Sequence, residues 1–448
     1  MGHLKPFVIA VFGMGPVGLV TAISLARKGC NVTGIDVDEN HLRQLRKGDA
    51  PFFEPNLSQE LKKPAVRKRL IFSDDSSLNS KSDITFITVG TPSAQDGSAI
   101  LDNVRSAAIS IGESIRGIKH YQLVAVKSTV TPGTARCVVK PTIEKASGKK
   151  LREFGVCSNP EFLREGNAIR DADFPDRIII GSDDLKAARY LEKFYRLVYR
   201  GNTPPIKRTS YENAELIKYA NNAFLATKIS FINCIANIAE RTPHSDVTSI
   251  ADGIGLDERI GRKFLNAGLG WGGSCFPKDM RGLISYSRAS GHIPTLLEAV
   301  VETNERQKDK ALALATSMLG TLKEKSIAIL GLAFKSETDD VREAVAITII
   351  RGLLAQGANV RVYDPKAQGN AQKIFQKSIA YADDKIECLR DADCCILVTE
   401  WDEFRSLSPG DFTKLMRTPV VIDGRRLFSS RRMIEGGVRF AAIGLGPI

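Results

Sequence analysis

Phe7-Val-Ile-Ala-Val-Phe-Gly13-Met14-Gly15-Pro16-Val17-Gly18, with Asp36 closing the next apolar run, is the stretch that decides the fold. Its first residues are apolar without alternation, as in a parallel strand covered on both faces. The glycines fall as G-x-G-x-x-G, a helical pattern runs from about Pro16 to Lys28, and Gly29 stops it. Asn31-Val-Thr-Gly-Ile-Asp36 then reads as a second strand. The spacing predicts a βαβ unit built around a dinucleotide. In it Gly13 permits the tight turn, Gly15 lets the backbone approach a pyrophosphate, and Gly18 allows the helix to pack closely on the strand. The helix N-terminus faces the phosphate charge, and Pro16 is tolerated in a first turn whose N–H groups lack intrahelical partners. Asp36 accepts hydrogen bonds from ribose hydroxyls and repels a 2′-phosphate, which favours NAD over NADP.

Outward from this unit, further apolar strands are expected at Ile84–Val89, Leu123–Lys127 and Phe154–Cys157, with helical stretches between them. Residues 211–240 read as one long helix without Gly or Pro, apolar enough to require burial by other domains or by a partner subunit. The βαβ pattern restarts at Ser326-Ile-Ala-Ile-Leu-Gly331, continues through a helix around Val345–Gln356, and returns in Asn359-Val-Arg-Val-Tyr-Asp364. Cys395-Ile-Leu-Val-Thr is read as the final strand. The fold class is therefore α/β, with two Rossmann-like doubly wound domains joined by a long central helix. The expected division is residues 1–205 for dinucleotide binding, 206–310 for a central helical dimerisation domain, and 311–448 for the second Rossmann-like domain. No glycine set follows Gly331, so that second unit should bind something other than a dinucleotide, or nothing.

The bulk properties exclude several classes. The chain has 448 residues, 43% hydrophobic and 25% charged, as in a soluble multidomain protein. No apolar run approaches the roughly 20 residues that span a bilayer. The start lacks a secretory leader, and a cytoplasmic location is expected. Eight cysteines and five histidines are dispersed, without a CxxC pair, which argues against a disulfide framework or a metal site. The net charge of +12 is spread out, without the patterns of a nucleic-acid binder. The densest basic stretch, Lys62 to Arg69, reads as a solvated helix face.

Two constellations carry chemistry. Gly270-Trp271-Gly272-Gly-Ser-Cys275-Phe276-Pro-Lys278-Asp279 places a cysteine after a glycine-rich loop, with an acid four residues on. It is either an ordinary buried cysteine in a turn or a nucleophile able to capture an aldehyde covalently. On the long helix, Lys218 and Asn222 are i and i+4 and share a face. The lysine is either at the helix surface or turned inward, where it would have to pair or act, for example on an alkoxide.

These stretches are where the chain resembles the UDP-glucose/GDP-mannose dehydrogenase family, from end to end. The resemblance rests on Gly13–Gly18, Val89-Gly90-Thr91-Pro92, Lys127-Ser128-Thr129-Val-Thr-Pro-Gly-Thr, Asn159-Pro-Glu161-Phe162-Leu163-Arg164-Glu165-Gly, Glu215-Leu-Ile-Lys218-Tyr-Ala-Asn-Asn222, the Cys275 loop, and Gly331-Leu-Ala-Phe334-Lys335 with Asp339-Asp-Val-Arg342-Glu. It implies a four-electron oxidation in two hydride steps, with Cys275 carrying a thiohemiacetal and then a thioester. Lys218 and Asn222 are implied as oxyanion stabilisers, and Asp279 as the partner that orients Lys218 or activates water. Thr129 and Glu161 are implied to hold and activate water. Glu165 would sit by the nicotinamide ribose, although Glu161 and Glu165, four apart, can also simply share a polar helix face. Met14, Val17, Ser128, Lys278 and Arg342 are implied on the cofactor side.

On the substrate side the resemblance implies Phe162, Leu163 and Arg164 at the sugar and phosphate. It further implies Phe264, Asn266, Gly268, Trp271, Gly272 and Phe276 around the diphosphate and base, with Phe334, Lys335 and Arg425 from the second Rossmann domain. Arg259 matches a residue that enters a neighbouring subunit's site, implying a homodimer or larger homo-oligomer. His41 and Pro16 depart from some relatives. Phe276 after the cysteine is more similar to the members acting on UDP-glucose than to those acting on GDP-mannose, which tend to carry Leu. The 3-hydroxyacid dehydrogenases share a Rossmann domain and a central helix, but need no thiol. A non-catalytic nucleotide-sugar sensor would be expected to have lost the cysteine or the lysine.

Overall fold

The computed structural model describes residues 6–150 and 152–447. The chain forms two compact units, Met1–Asn221 with Arg281–Ser290, and Asn222–Met280 with Gly291–Ile448. It passes between them within two helices, Tyr211–Ala239 and Phe276–Ala289. Among the described residues no helix is long and apolar enough to cross a membrane.

The first unit is built on an eight-stranded sheet. Its strands are β1 (Val8–Phe12), β2 (Asn31–Ile35), β3 (Leu70–Ser73), β4 (Ile84–Ile87), β5 (Gln122–Val126), β6 (Phe154–Ser158), β7 (Ile178–Gly181) and β8 (Ile206–Thr209). The order is β3-β2-β1-β4-β5-β6-β7-β8, with every neighbouring pair parallel except β6 and β7. β1 is central, and Ile9, Ala10 and Val11 are fully covered, which is why this strand carries no polar residue. The chain reverses direction across the sheet between β1 and β4, and ligands of doubly wound sheets bind at that switch point, beyond the carboxyl ends of the strands.

Gly13 opens the turn after β1 at φ +95°, and its N–H is bound by Ile35 O at 2.8 Å. The helix Pro16–Arg27 follows with proline in its first turn and an unbroken buried run from Gly18 to Ala26. A Cβ on Gly18 would lie 1.8 Å from Gly13 O and 2.7 Å from Thr88 Oγ1, so helix and turn touch backbone to backbone. Around Gly15 the corresponding position is open, with nothing within 4 Å.

The second unit repeats this construction. β9 (Ser326–Leu330), β10 (Asn359–Tyr363), β11 (Ala380–Tyr381), β12 (Cys394–Leu397), β13 (Val420–Asp423) and β14 (Arg439–Ala442) form an all-parallel sheet in the order β11-β10-β9-β12-β13-β14. Gly331 turns at φ +99° and is bound by Tyr363 O at 2.8 Å, as Gly13 is by Ile35. Two α/β units of Rossmann strand order are thus present.

Some expectations need correction. The run at Cys395 is not the last strand, since β13 and β14 follow it in the sheet. Lys62 to Arg69 is not one solvated helix face. One short helix ends at Lys62, Lys63 is extended, a second helix spans only Pro64–Arg67, and Val66 is buried. Proline at 64 forces that break, because it disfavours helical backbone in the residue before it. The long helix also keeps apolar side chains at its surface. Phe224, Phe231 and Ile238, spaced by seven, are 65%, 51% and 58% exposed.

Gly18→Ala and Gly15→Ala should separate packing from ligand access. The first overpacks a backbone contact and should destabilise the protein by at least about 2 kcal/mol, read as a lowered melting temperature. The second should leave the melting temperature unchanged while weakening dinucleotide binding measured by calorimetry. Equal melting temperatures for the two variants would contradict this account.

Candidate active site

In the first unit the glycine turn is held from below by Asp36. Its carboxylate accepts Met14 N at 2.5 Å and Asp38 N at 3.0 Å, and the side chain is only half-buried. A carboxylate has lone pairs beyond these two, so Asp36 can still accept from a ligand. The equivalent acid of the second unit, Asp364, cannot. It is 2% exposed and accepts from Leu332 N, Ala333 N, Lys366 N, Ala367 N and the Trp401 indole N–H, at 2.7–3.1 Å. The open space at Gly15, a helix N-terminus and a partly available Asp36 fit a dinucleotide at Gly13–Gly18. The Gly331 turn is closed by its own side chains.

The loops after β4 and β5 are tied together at the same sheet edge. Ser128 Oγ donates to Val89 O at 2.6 Å and Thr91 Oγ1 to Thr129 O at 2.8 Å, while Asn103 Nδ2 donates to Gly90 O at 3.0 Å. These bonds fix Val89, Gly90, Thr91 and Pro92 against Ser128 and Thr129. The next loop, Asn159 to Gly166, leaves β6 without helical structure, so Glu161 and Glu165 do not share a helix face. Instead Glu161 turns back to accept Leu163 N and binds Lys218 Nζ at 2.9 Å. Both side chains are nearly enclosed, 10% and 6% exposed. Lys218 is thus turned inward and ion-paired. Phe162 lies beside the pair, its ring 5.5 Å from Lys218 Nζ and 3.8 Å from the Arg177 guanidinium. Arg164 is turned onto Asp171 at 2.9 Å and is largely exposed, and Leu163 is half-buried.

Sequence reasoning gave no role to two buried acids. Glu54 accepts Gly166 N at 2.7 Å and Ala168 N at 2.8 Å, anchoring the loop that bears Glu161. Glu215, three residues before Lys218, accepts Gly133 N at 2.6 Å and Ala135 N at 2.8 Å and so anchors the segment after Thr129. Burial pushes the Glu215 carboxyl up to about 7, against the two backbone N–H groups that favour its charge. The available signal for Glu215 was an acid on an apolar helix. For Glu54 there was none.

In the second unit, Gly270 and Gly273 take left-handed backbone at φ +107° and +83°. A Cβ on Gly272 would meet Glu343 O at 2.1 Å, and one on Gly273 the Phe334 ring at 2.7 Å. This close packing brings the chain to Cys275, directly before the helix Phe276–Ala289. Its thiol is exposed, so the reading of an ordinary buried cysteine fails. Five other cysteines are buried, and burial pushes thiols such as Cys157 and Cys388 up to about 12. Asp279, in the first turn of that helix, is 2% exposed and accepts Asn222 Nδ2 and Lys278 Nζ, each at 2.6 Å. Asn222 lies one turn beyond Lys218 on the long helix.

The remaining predicted contacts divide. Trp271 packs edge-on to Phe276 at 6.2 Å and exchanges hydrogen bonds with Asn304. Gly268 N is bound by Asn233 Oδ1 at 2.8 Å, with Arg425 beside it, its Nε donating to Val398 O at 2.6 Å. Asn266 accepts from Arg262, Phe264 sits at φ +66°, and Lys335 Nζ lies 5.8 Å from the Phe334 ring. Arg259 and Arg342 are at exposed surface, each forked onto an acid two residues earlier, Asp257 and Asp340.

Three family models match in order. They are the NAD binding domain of the UDP-glucose/GDP-mannose dehydrogenase family over residues 7–199, its central domain over 212–306, and its UDP binding domain over 328–430. The chain is 44% identical to a UDP-glucose 6-dehydrogenase of Bacillus subtilis, covering 97% of this chain and 93% of that protein. It is 43% identical to one of Haloferax volcanii, covering 95% and 98%. Among solved structures, a UDP-glucose dehydrogenase from Pyrobaculum islandicum superposes with a TM-score of 0.89 at 38% identity, covering 99% of this chain and 98% of that one.

Glu215 generates a pH-dependent stability. Its folded pKa is raised, so its contribution is fully present below the unfolded value near 4.5 and is lost as pH rises through about 7. The melting temperature should fall between pH 5 and 8, and Glu215→Gln should blunt that fall. An identical pH slope in the variant would refute the assignment.

Proposed function

Because the chain belongs to the UDP-glucose/GDP-mannose dehydrogenase family and is an NAD-dependent nucleotide-sugar dehydrogenase, we propose that it oxidises C6 of UDP-glucose to give UDP-glucuronate through a covalent intermediate on Cys275. The observation that carries this reading is an exposed thiol at the start of a helix whose first turn holds Asp279 against Asn222. The names of the relatives reported above support the choice of UDP-glucose.

Gly13–Gly18 and Asp36 would hold NAD, with Glu165, Lys278 and Arg342 proposed as further contacts, and when bound it would supply the hydride acceptor for each of the two oxidations. Glu161 takes the proton of the C6 hydroxyl, directly or through a water held with Thr129, as C6 becomes an aldehyde. The Cys275 thiol gives its proton to solvent and its sulfur bonds to C6, giving a thiohemiacetal whose oxyanion is stabilised by Lys218 and Asn222, while Glu161 passes its proton through water to solvent and is ready to act again. Loss of the remaining C6 hydride leaves a thioester. Water, activated by Glu161, adds to it; the C–S bond breaks, the thiolate leaves, and the acid is released. Asp279 fixes the Asn222 amide, so this donor is oriented before charge develops. Phe162, Leu163 and Arg164 hold the sugar, and the Phe264–Gly272 loop with Phe276, Phe334, Lys335 and Arg425 holds the UDP moiety.

The same reading assigns residues 206–310 to a dimer contact. Phe224, Phe231 and Ile238 form a stripe that a second copy of the long helix would cover, and Arg259, exposed 35 residues or fewer away in sequence, completes the partner's site.

Two measurements test the proposal. Wild-type enzyme should form two reduced cofactors per UDP-glucose with no free aldehyde, and should prefer NAD to NADP by at least about tenfold in kcat/KM. Cys275→Ser should accumulate an ester visible by intact-protein mass spectrometry, since an alkoxide leaves far less readily than a thiolate, and Cys275→Ala should show no adduct. One reduced cofactor per sugar, or normal acid production by Cys275→Ala, would overturn the mechanism. A higher kcat/KM for GDP-mannose or another UDP-hexose would overturn the substrate. For the assembly, Arg259→Ala should raise KM without lowering the melting temperature. A fully active monomer in analytical ultracentrifugation would exclude the dimer.

A further inference from the structure

The segment Gly268–Trp271 is buried yet belongs to no helix or strand, so its backbone groups need partners from outside secondary structure. Three carboxamides supply them. Asn304 pairs with Trp271 twice, its Oδ1 accepting Trp271 N at 2.7 Å and its Nδ2 donating to Trp271 O at 3.0 Å, as a residue of a neighbouring strand would. Gln307, three residues on in the helix Thr295–Lys308, donates its Nε2 to Gly268 O at 2.8 Å. Asn233, on the long helix, accepts Gly268 N at 2.8 Å. All three amides are at most 1% exposed.

The clamp is itself held in place. Asn237 Nδ2 donates to Gln307 Oε1 at 3.2 Å, which turns the Gln307 amine toward Gly268. The Trp271 indole N–H donates to Ser230 Oγ at 3.0 Å, and Ser230 Oγ donates to Val300 O at 3.0 Å. The glycines are required by the same packing: a Cβ on Gly270 would lie 2.8 Å from Asn304 Oδ1, and one on Gly268 would lie 3.0 Å from Gly424 O. A loop that binds a ligand loses affinity when it must be ordered in the act, and a loop ordered beforehand avoids that cost.

We infer that Asn233, Asn304 and Gln307 are positioning residues for the nucleotide, which hold the Gly268–Trp271 backbone in its binding path before the nucleotide arrives. The inference rests on the reading above that this loop holds the UDP moiety. None of the three amides is given a part in the oxidation itself, so their effect belongs to binding.

UDP alone is the probe, titrated into the whole enzyme by calorimetry. Asn304→Ala and Gln307→Ala should each raise the Kd for UDP at least about tenfold, while the Kd for NAD stays within about threefold of wild type. In kinetics the loss should fall on KM for UDP-glucose rather than on kcat. Wild-type UDP affinity in a folded variant, even one with a lowered melting temperature, would overturn the inference, and so would equal losses for UDP and NAD. In wild-type enzyme without nucleotide, hydrogen exchange read residue by residue should find the Gly268 and Trp271 amides already protected. Fast exchange there that UDP suppresses would also overturn it, and this result decides if neither variant folds. Failure of the wild type to bind UDP would overturn this inference together with the substrate assignment, whereas UDP binding that both variants keep would overturn this inference alone.

Discussion

Backbone N–H groups clamped by carboxylates hold this structure's functional loops in place. A protein that binds anions with loop backbone must keep those loops open, and an open loop cannot satisfy its own N–H groups with ladder hydrogen bonds. Here carboxylates do so, two of them, Glu54 and Glu215, from more than 75 residues away. Asp36 holds Met14, Glu54 holds Gly166 and Ala168, Glu215 holds Gly133 and Ala135, and Glu161 holds Leu163. Leaving a buried backbone N–H unpaired costs roughly 1–3 kcal/mol, a cost these acids remove.

The two Rossmann-like halves show what that anchoring decides. Both put a left-handed glycine after the first strand and an acid after the second, and both glycines donate to the second strand at the same distance. The difference lies in how the acid is used. Asp36 makes two backbone contacts and remains half-exposed, whereas Asp364 is buried under five donors, one of them the Trp401 indole. A saturated acid has nothing to offer a ribose. The same topology leaves an open turn in one half and a turn with a saturated acid in the other.

This contrast also explains what could be read from sequence. The strand–turn–helix at Phe7–Gly18 was legible because each residue type there has a local cause: an apolar strand, a left-handed turn, a proline-led helix. The long helix was legible because Gly and Pro are missing across its 29 residues. Lys218 and Asn222 could be paired by helical periodicity alone. Glu54 and Glu215 could not be found this way, because their partners lie more than 75 residues away and are backbone N–H groups, which leave no trace in residue identity. Glu161 and Glu165 misled for a related reason. Spacing of four suggests a helix face only if the backbone is helical, and here the loop leaving β6 is tied down in an irregular path.

The buried ion pair sets the remaining constraint. Glu161 and Lys218 are almost fully enclosed, and a buried pair gives little net stability because desolvation offsets most of its attraction, while removal of one partner costs about 3–5 kcal/mol. A pair kept for stability alone would be readily replaced by apolar residues. Its presence on the long helix, one turn from an amide bound by Asp279, is better explained by a need for oriented charge at that point. Water would screen such charges, so their effect depends on the enclosure that makes them expensive. Phe162, packed beside both Lys218 and Arg177, supplies part of that enclosure.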